Sequence, residues 1–75
     1  MRNLDFIRLQ NIGKRLQELR LQKNLTQKEL AFILNIEISQ ITRIERGVIN
    51  TSVLSLMRIS DALGMSVSEF LKEID

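Results

Sequence analysis

Residues 26–29, Thr-Gln-Lys-Glu, limit this chain more than any other stretch, because Thr26 followed by Glu29 is a reciprocal helix start. The Thr26 side chain can accept from the amide of residue 29, while the Glu29 carboxylate accepts from the amide of residue 26. Further on, Asn35 offers a side chain that tolerates the left-handed conformation a helix end needs. The next helical run, over residues 38–46, stops at Gly47. Two short helices joined by a tight bend are therefore expected between residues 26 and 46.

The rest of the chain is punctuated in the same way. Leu9, Ile12, Leu16 and Leu19 recur at helical spacing and predict a long first helix over Asp5–Lys23. Gly13 interrupts it at a cost of roughly 1 kcal/mol against alanine, which points to close packing there. Asn24-Leu25 is a break, and Leu30, Ala31 and Leu34 form the inward side of the second helix. Thr51 or Ser52 caps a fourth helix, in which Val53, Leu56, Ile59 and Leu63 face one way, and Gly64 ends it. Ser66-Val67-Ser68-Glu69 is a second reciprocal start, opening a fifth helix with Val67, Phe70, Leu71 and Ile74 on one stripe. Loops are short, and there is no repeat, low-complexity tract or linker. The expectation is an all-α, five-helix fold in which residues 1–75 form one domain.

Composition agrees with this and removes several functions. The chain has no proline and only three glycines, so helices are favoured over turn-rich β structure. It has no cysteine, hence no disulfide or thiolate chemistry, which fits a reducing cytoplasm. It has no histidine, the commonest general base and metal ligand, and its carboxylates are scattered among cap and surface positions. No enzyme activity, metal, cofactor or small-molecule ligand is expected. No apolar run approaches the roughly 20 residues of a membrane span, and the N-terminal residues do not read as a signal peptide. The net charge of +2 is unevenly distributed. Residues 1–23 hold six basic and two acidic side chains, residues 24–47 hold three of each, and residues 48–75 hold two basic and four acidic. A basic end suits a polyanion, and it also suits an ordinary solvated surface.

The third helix carries the functional reading. On a wheel at about 100° per residue, Ile41 and Ile44 define the inward face, and Ser39, Thr42, Arg43 and Arg46 fall on the opposite one. Two short helices joined by a tight bend, with a polar outer face bearing arginines, form the helix-turn-helix arrangement. Such a face has what a DNA major groove asks for: a guanidinium fork for guanine, and hydroxyls for bases or phosphate. Glu45 lies near the buried edge and needs a partner, and Arg20, beside the apolar stripe of the first helix, is a plausible one.

The run IGKRLQELRLQKNLTQKELAFILNIEISQITRIERGVINTSVLSLMRISDALGMSVSEF resembles the phage-repressor-like helix-turn-helix family of the Cro/C1 or xenobiotic-response-element type. The resemblance is carried by Arg20, the Leu25–Ala31 run, Ile41, the Ile44–Gly47 run, and Ala62-Leu63-Gly64 followed by Ser66. It implies a lambda-repressor-like fold and a transcriptional regulator that binds double-stranded DNA as a homodimer. It implies that Ile38, Ser39, Thr42 and Arg43 read bases. By the same resemblance Gln27, Lys28, Gln40, Arg46 and Asn50 contact the DNA backbone, and Arg20 with Glu45 forms an internal salt bridge. A bacterial or phage-derived cytoplasmic protein is implied.

This chain departs from the family pattern at three places. Glu37 opens the third helix, where a small capping residue is common, and its charge would repel a nearby phosphate. Ile38 offers only packing, for example against a thymine methyl. Val48-Ile49 replaces a pair that is often basic, so affinity should be weaker and salt dependence shallower. Phe32, Ile33, Leu54 and Met57 lie off the inward stripes of their helices. Val48, Ile49, Phe70 and Ile74 are candidates for a dimer contact that would set two reading helices roughly 34 Å apart. Phe70 and Ile74 equally suit a role capping the monomer core. A protein-interaction module of the same fold, such as an antitoxin, is the alternative function.

Overall fold

A computed structural model describes residues 2–74. It contains α1 (Asn3–Gln22), α2 (Gln27–Leu34), α3 (Ile38–Arg46), α4 (Val53–Ala62) and α5 (Val67–Phe70), with no strand among the described residues. The spine is α1: its 20 residues span about 30 Å, close to the 32 Å long dimension of the molecule. α3 packs mainly against α1, while α2 packs against α3 and α4.

Each boundary has a local cause. At the start of α2 the Thr26 hydroxyl accepts from the Glu29 amide at 3.0 Å, and the Glu29 carboxylate accepts from the Thr26 amide at 2.9 Å. Asn35 closes α2 in the left-handed region at φ 56°, and the Ile36 amide then donates to the Ala31 carbonyl at 3.0 Å. This turn places Ile36 against the core. Gly47 ends α3 at φ 72°, and Ser52, rather than Thr51, caps α4 by accepting from the Ser55 amide. α5 opens with the second reciprocal start, Ser66 with Glu69.

The core is one cluster built by all five helices: Leu16 and Leu19, Leu30 and Ala31, Ile41 and Ile44, Leu56, Ile59 and Leu63, and Phe70. Burial of these side chains is the main force holding short helices that would be marginal alone. The long first helix meets α3 at glycine: a Cβ on Gly13 would collide with the carbonyl oxygens of Ile44 and Glu45. Gly47 is doubly constrained, by its positive φ and by the Gln10 backbone, whose Cα would lie 2.7 Å from a Cβ there.

Three expectations are corrected. The Val67-Phe70-Leu71-Ile74 stripe does not continue as helix, because α5 ends at Phe70 and Glu73 turns to φ 68°. Arg15 shows why: its Nε and Nη2 donate to the carbonyls of Phe70 and Glu69, each at 3.0 Å, and so satisfy the helix end from outside. Val53, expected inward, is 70% exposed, since it stands at the first position of α4 beyond the core. Phe70, a candidate dimer contact, is fully buried in the monomer core and has no surface left for a partner.

Candidate nucleic-acid interface

α3 is amphipathic in the simplest way. Ile41 and Ile44 are buried beneath it, while Ser39, Arg43 and Arg46 are exposed and Thr42 is half-buried. Among the described residues, the side chains of Ser39, Arg43 and Arg46 make no hydrogen bond or ion pair within the chain. Arg43 and Arg46 occupy the last turn, where positive charge complements the helix dipole. Ile38 opens the helix and is 43% exposed, so its apolar surface is available at the same edge. Glu37 is the N-cap residue, and its side chain makes no capping bond.

The buried flank of α3 is polar and fully partnered. Arg20 Nε donates to Glu45 Oε2 at 2.7 Å, and Arg20 Nη2 donates to Glu45 Oε1 at 3.1 Å. Both side chains are almost fully enclosed. The remaining guanidinium nitrogen, Nη1, donates to the Leu25 carbonyl at 2.7 Å and ties the bridge to the loop before α2. Gln27, at the first turn of α2, donates from Nε2 to Glu45 Oε1 at 2.9 Å, and its Oε1 accepts from the Thr42 hydroxyl at 2.9 Å. The long helix, the start of α2 and the outer edge of α3 are thus joined by four side chains in series.

Two residues assigned to DNA contact by resemblance, Gln27 and Thr42, therefore hold each other. Gln27 keeps one amide hydrogen unengaged, and Thr42 keeps one lone pair and its methyl. At the same helix start, the Gln27 and Lys28 amides have no acceptor within an α-helix, since the cap bond goes to Glu29. Gln40 and Asn50 lie on the other side of α3, where they line a groove of about 280 Å3 together with Ile44, Ile49 and Arg58. Val48 is 51% exposed, whereas Ile49 packs on the core and so explains an apolar residue in this loop. Ile74 is half-buried near the end of the described chain.

The charge of α1 is used differently from its position in the sequence. Arg20 is buried with Glu45, Arg15 holds α5, and Arg2 pairs with Asp5 at 3.3 Å on the surface. Sequence reasoning missed Arg15, because its partners are backbone carbonyls and leave no trace in residue types. It also missed Arg8, which is exposed and lines a shallow depression with Asn50. No residue pattern links those two positions; the packing of Gly47 on Gln10 brings the loop to α1. No group of acidic, cysteine or histidine side chains able to hold a metal occurs among the described residues, and no helix there is long and apolar enough to cross a membrane.

A bend between α2 and α3, with α3 exposing its polar side and buried along the other, defines a helix-turn-helix domain. The helix-turn-helix family HTH_3 matches residues 16–70, and the chain belongs to that Cro/C1-type family of DNA-binding transcription regulators. The control protein C.BamHI of Bacillus amyloliquefaciens is 37% identical over 60 residues, covering 79% of this chain and 74% of that protein. The HTH-type transcriptional regulator PuuR of Escherichia coli is 34% identical over 61 residues, 81% of this chain, which spans only 33% of PuuR. The crystal structure of the restriction-modification controller protein C.AhdI from Aeromonas hydrophila superposes with a TM-score of 0.79 at 35% identity, covering 83% of this chain and 94% of that one. These relatives are bacterial regulators.

Proposed function

We propose that the chain is a sequence-specific regulator that inserts α3 into the major groove of double-stranded DNA. The observation that carries this reading is the contrast across α3. Arg43, Arg46 and Ser39 stand exposed with no partner among the described residues, on a helix whose other side is fixed by Ile41, Ile44 and the Arg20–Glu45 bridge. In this reading Arg43, Ser39, Thr42 and Ile38 meet base edges. The free amides at the start of α2, with Lys28, take one phosphate, and Arg46, Gln40 and Asn50 take others. Regulation through a two-fold dimer is part of the proposal. With Phe70 committed to the core, its contact would draw on Val48 and on Val53, Leu54 and Met57, which share an exposed apolar face of α4.

Selection from a random duplex pool at two salt concentrations tests the reading. A recovered motif bound less tightly as salt rises supports it. Salt-independent binding, or a pool without any enriched sequence, would overturn it. A second reading, a protein-interaction module, is favoured by Phe32, which is 86% exposed on α2 with Ile33 beside it. Empty selection combined with stable self-association in sedimentation would favour that module.

A further inference from the structure

We infer that Thr42 acts toward DNA only as a hydrogen-bond acceptor, and so discriminates bases bearing an amino group, adenine or cytosine, from those bearing a carbonyl. This deepens the DNA-binding reading above and rests on it. The direction of every hydrogen bond leading to Thr42 is fixed by chemistry. Arginine only donates, so the bridge begins with Arg20 giving hydrogens to both oxygens of Glu45. Glu45 Oε1, an acceptor, also lies 2.9 Å from the Gln27 amide. That amide can present only its nitrogen there, since the reversed orientation would set oxygen against oxygen. The Gln27 oxygen is then forced toward Thr42, 2.9 Å away, and the Thr42 hydroxyl must donate to it. The other neighbour of that hydroxyl is the Ile38 carbonyl at 3.2 Å, again an acceptor. A hydroxyl has one hydrogen, and both places it can go lie inside the protein. What Thr42 keeps for an outside partner is one lone pair, with a methyl group beside it.

Each base pair shows one amino and one carbonyl group at the centre of the major groove: adenine N6 beside thymine O4, or cytosine N4 beside guanine O6. An acceptor-only hydroxyl can take a hydrogen from adenine or cytosine. Against guanine or thymine it meets a carbonyl, and it can bond there only by releasing Gln27 or Ile38. Ser39 provides the contrast within the same helix: it is exposed, and its hydroxyl has no partner among the described residues, so it can serve either way.

The test is base-by-base competition on the motif recovered from the random pool, using the full chain and three variants. One position contacted by each α3 should favour adenine or cytosine over guanine or thymine by about three- to tenfold, the value of one hydrogen bond. Thr42→Val, which keeps the shape and loses the acceptor, should bring that ratio near one and leave the rest of the motif unchanged. Thr42→Ala provides the same readout should the valine variant unfold. Thr42→Ser, which keeps the hydroxyl and its link to Gln27, should retain the ratio. A motif whose every position is unmoved by Thr42→Val and Thr42→Ala overturns this inference alone. So does loss of a guanine or thymine preference in those variants. A pool with no motif overturns both this inference and the DNA-binding reading.

Discussion

Both flanks of α3 carry charged side chains and put them to opposite uses. On one flank Glu45 meets Arg20 and Gln27 within 3.1 Å, with the Arg20 and Glu45 side chains almost fully enclosed. On the other, Arg43 and Arg46 are exposed to solvent without a partner among the described residues. A buried charge is tolerable only when every hydrogen-bonding site is met, and the first flank meets that condition: no buried side-chain polar atom among the described residues lacks a partner. An exposed guanidinium loses little by waiting, because water solvates it until an anion or base edge arrives. One flank therefore governs where α3 sits, and the other is left open for the DNA contact proposed above. The two should separate cleanly in experiments that measure folding and binding side by side.

The largest effect is expected at the bridge. Glu45→Ala leaves Arg20 buried and uncompensated and should lower unfolding free energy by about 3–5 kcal/mol. Urea denaturation measures it; a loss under about 1 kcal/mol would mean that water reaches the bridge and the flanks differ less than their burial says. Gly13→Ala comes next. Alanine is the better helix former, yet its methyl would strike the α3 carbonyls, so a loss of about 1–3 kcal/mol is expected. A stabilised Gly13→Ala variant in thermal melts would show that α1 and α3 can move apart at little cost.

Arg43→Ala addresses the free flank. It should weaken binding to a selected duplex by about 1–3 kcal/mol, with preference relaxed at one base pair. Its unfolding free energy should stay within about 0.5 kcal/mol of the parent. Unchanged duplex affinity in a titration would remove Arg43 from the reading face.

The smallest effect lies at the surface start of α2. Bonds from the Thr26 amide, and then from the Thr26 hydroxyl, hold the Glu29 carboxyl below its ordinary value of 4.5. A carboxyl whose pKa is lowered on folding contributes stability that is present above 4.5 and lost as pH falls through the folded value. Glu29→Gln should thus flatten the fall in stability below that pH, read from urea midpoints across an acid series. An unchanged slope would show that the Glu29 bond exists equally in the unfolded chain.

Helix starts and stops were open to sequence reasoning because they depend on residues a few positions apart. Thr26 with Glu29, Ser66 with Glu69, Asn35, Gly47 and Gly64 all act locally and stand where the sequence puts them. The wheel positions of Ile41, Ile44 and Glu45 are likewise local, and only the reach of Arg20 to Glu45 needed a guess about packing. The short α5 was not legible, because its end is set by Arg15 from 54 or more positions away, through backbone groups common to every residue. Phe70 fitted a core or an interface equally by type, and only the closed packing around it decides. The Gln27–Thr42 bond was hidden for a third reason. Both residues suit a DNA contact when taken singly, and only their distance shows that each restrains the other.

Gly13 and Gly47 bring the backbone of α1 against the end of α3 and the residue that follows it, with no side chain between them. A contact of that kind does not depend on what α3 displays on its far side. Ser39, Arg43 and Arg46 can then be exchanged over generations while the seating of the helix stays the same. Thr42 lacks that freedom, because it is wired to the bridge. Change in the base preference proposed for α3 should accordingly run through Ser39 and Arg43 and spare Thr42.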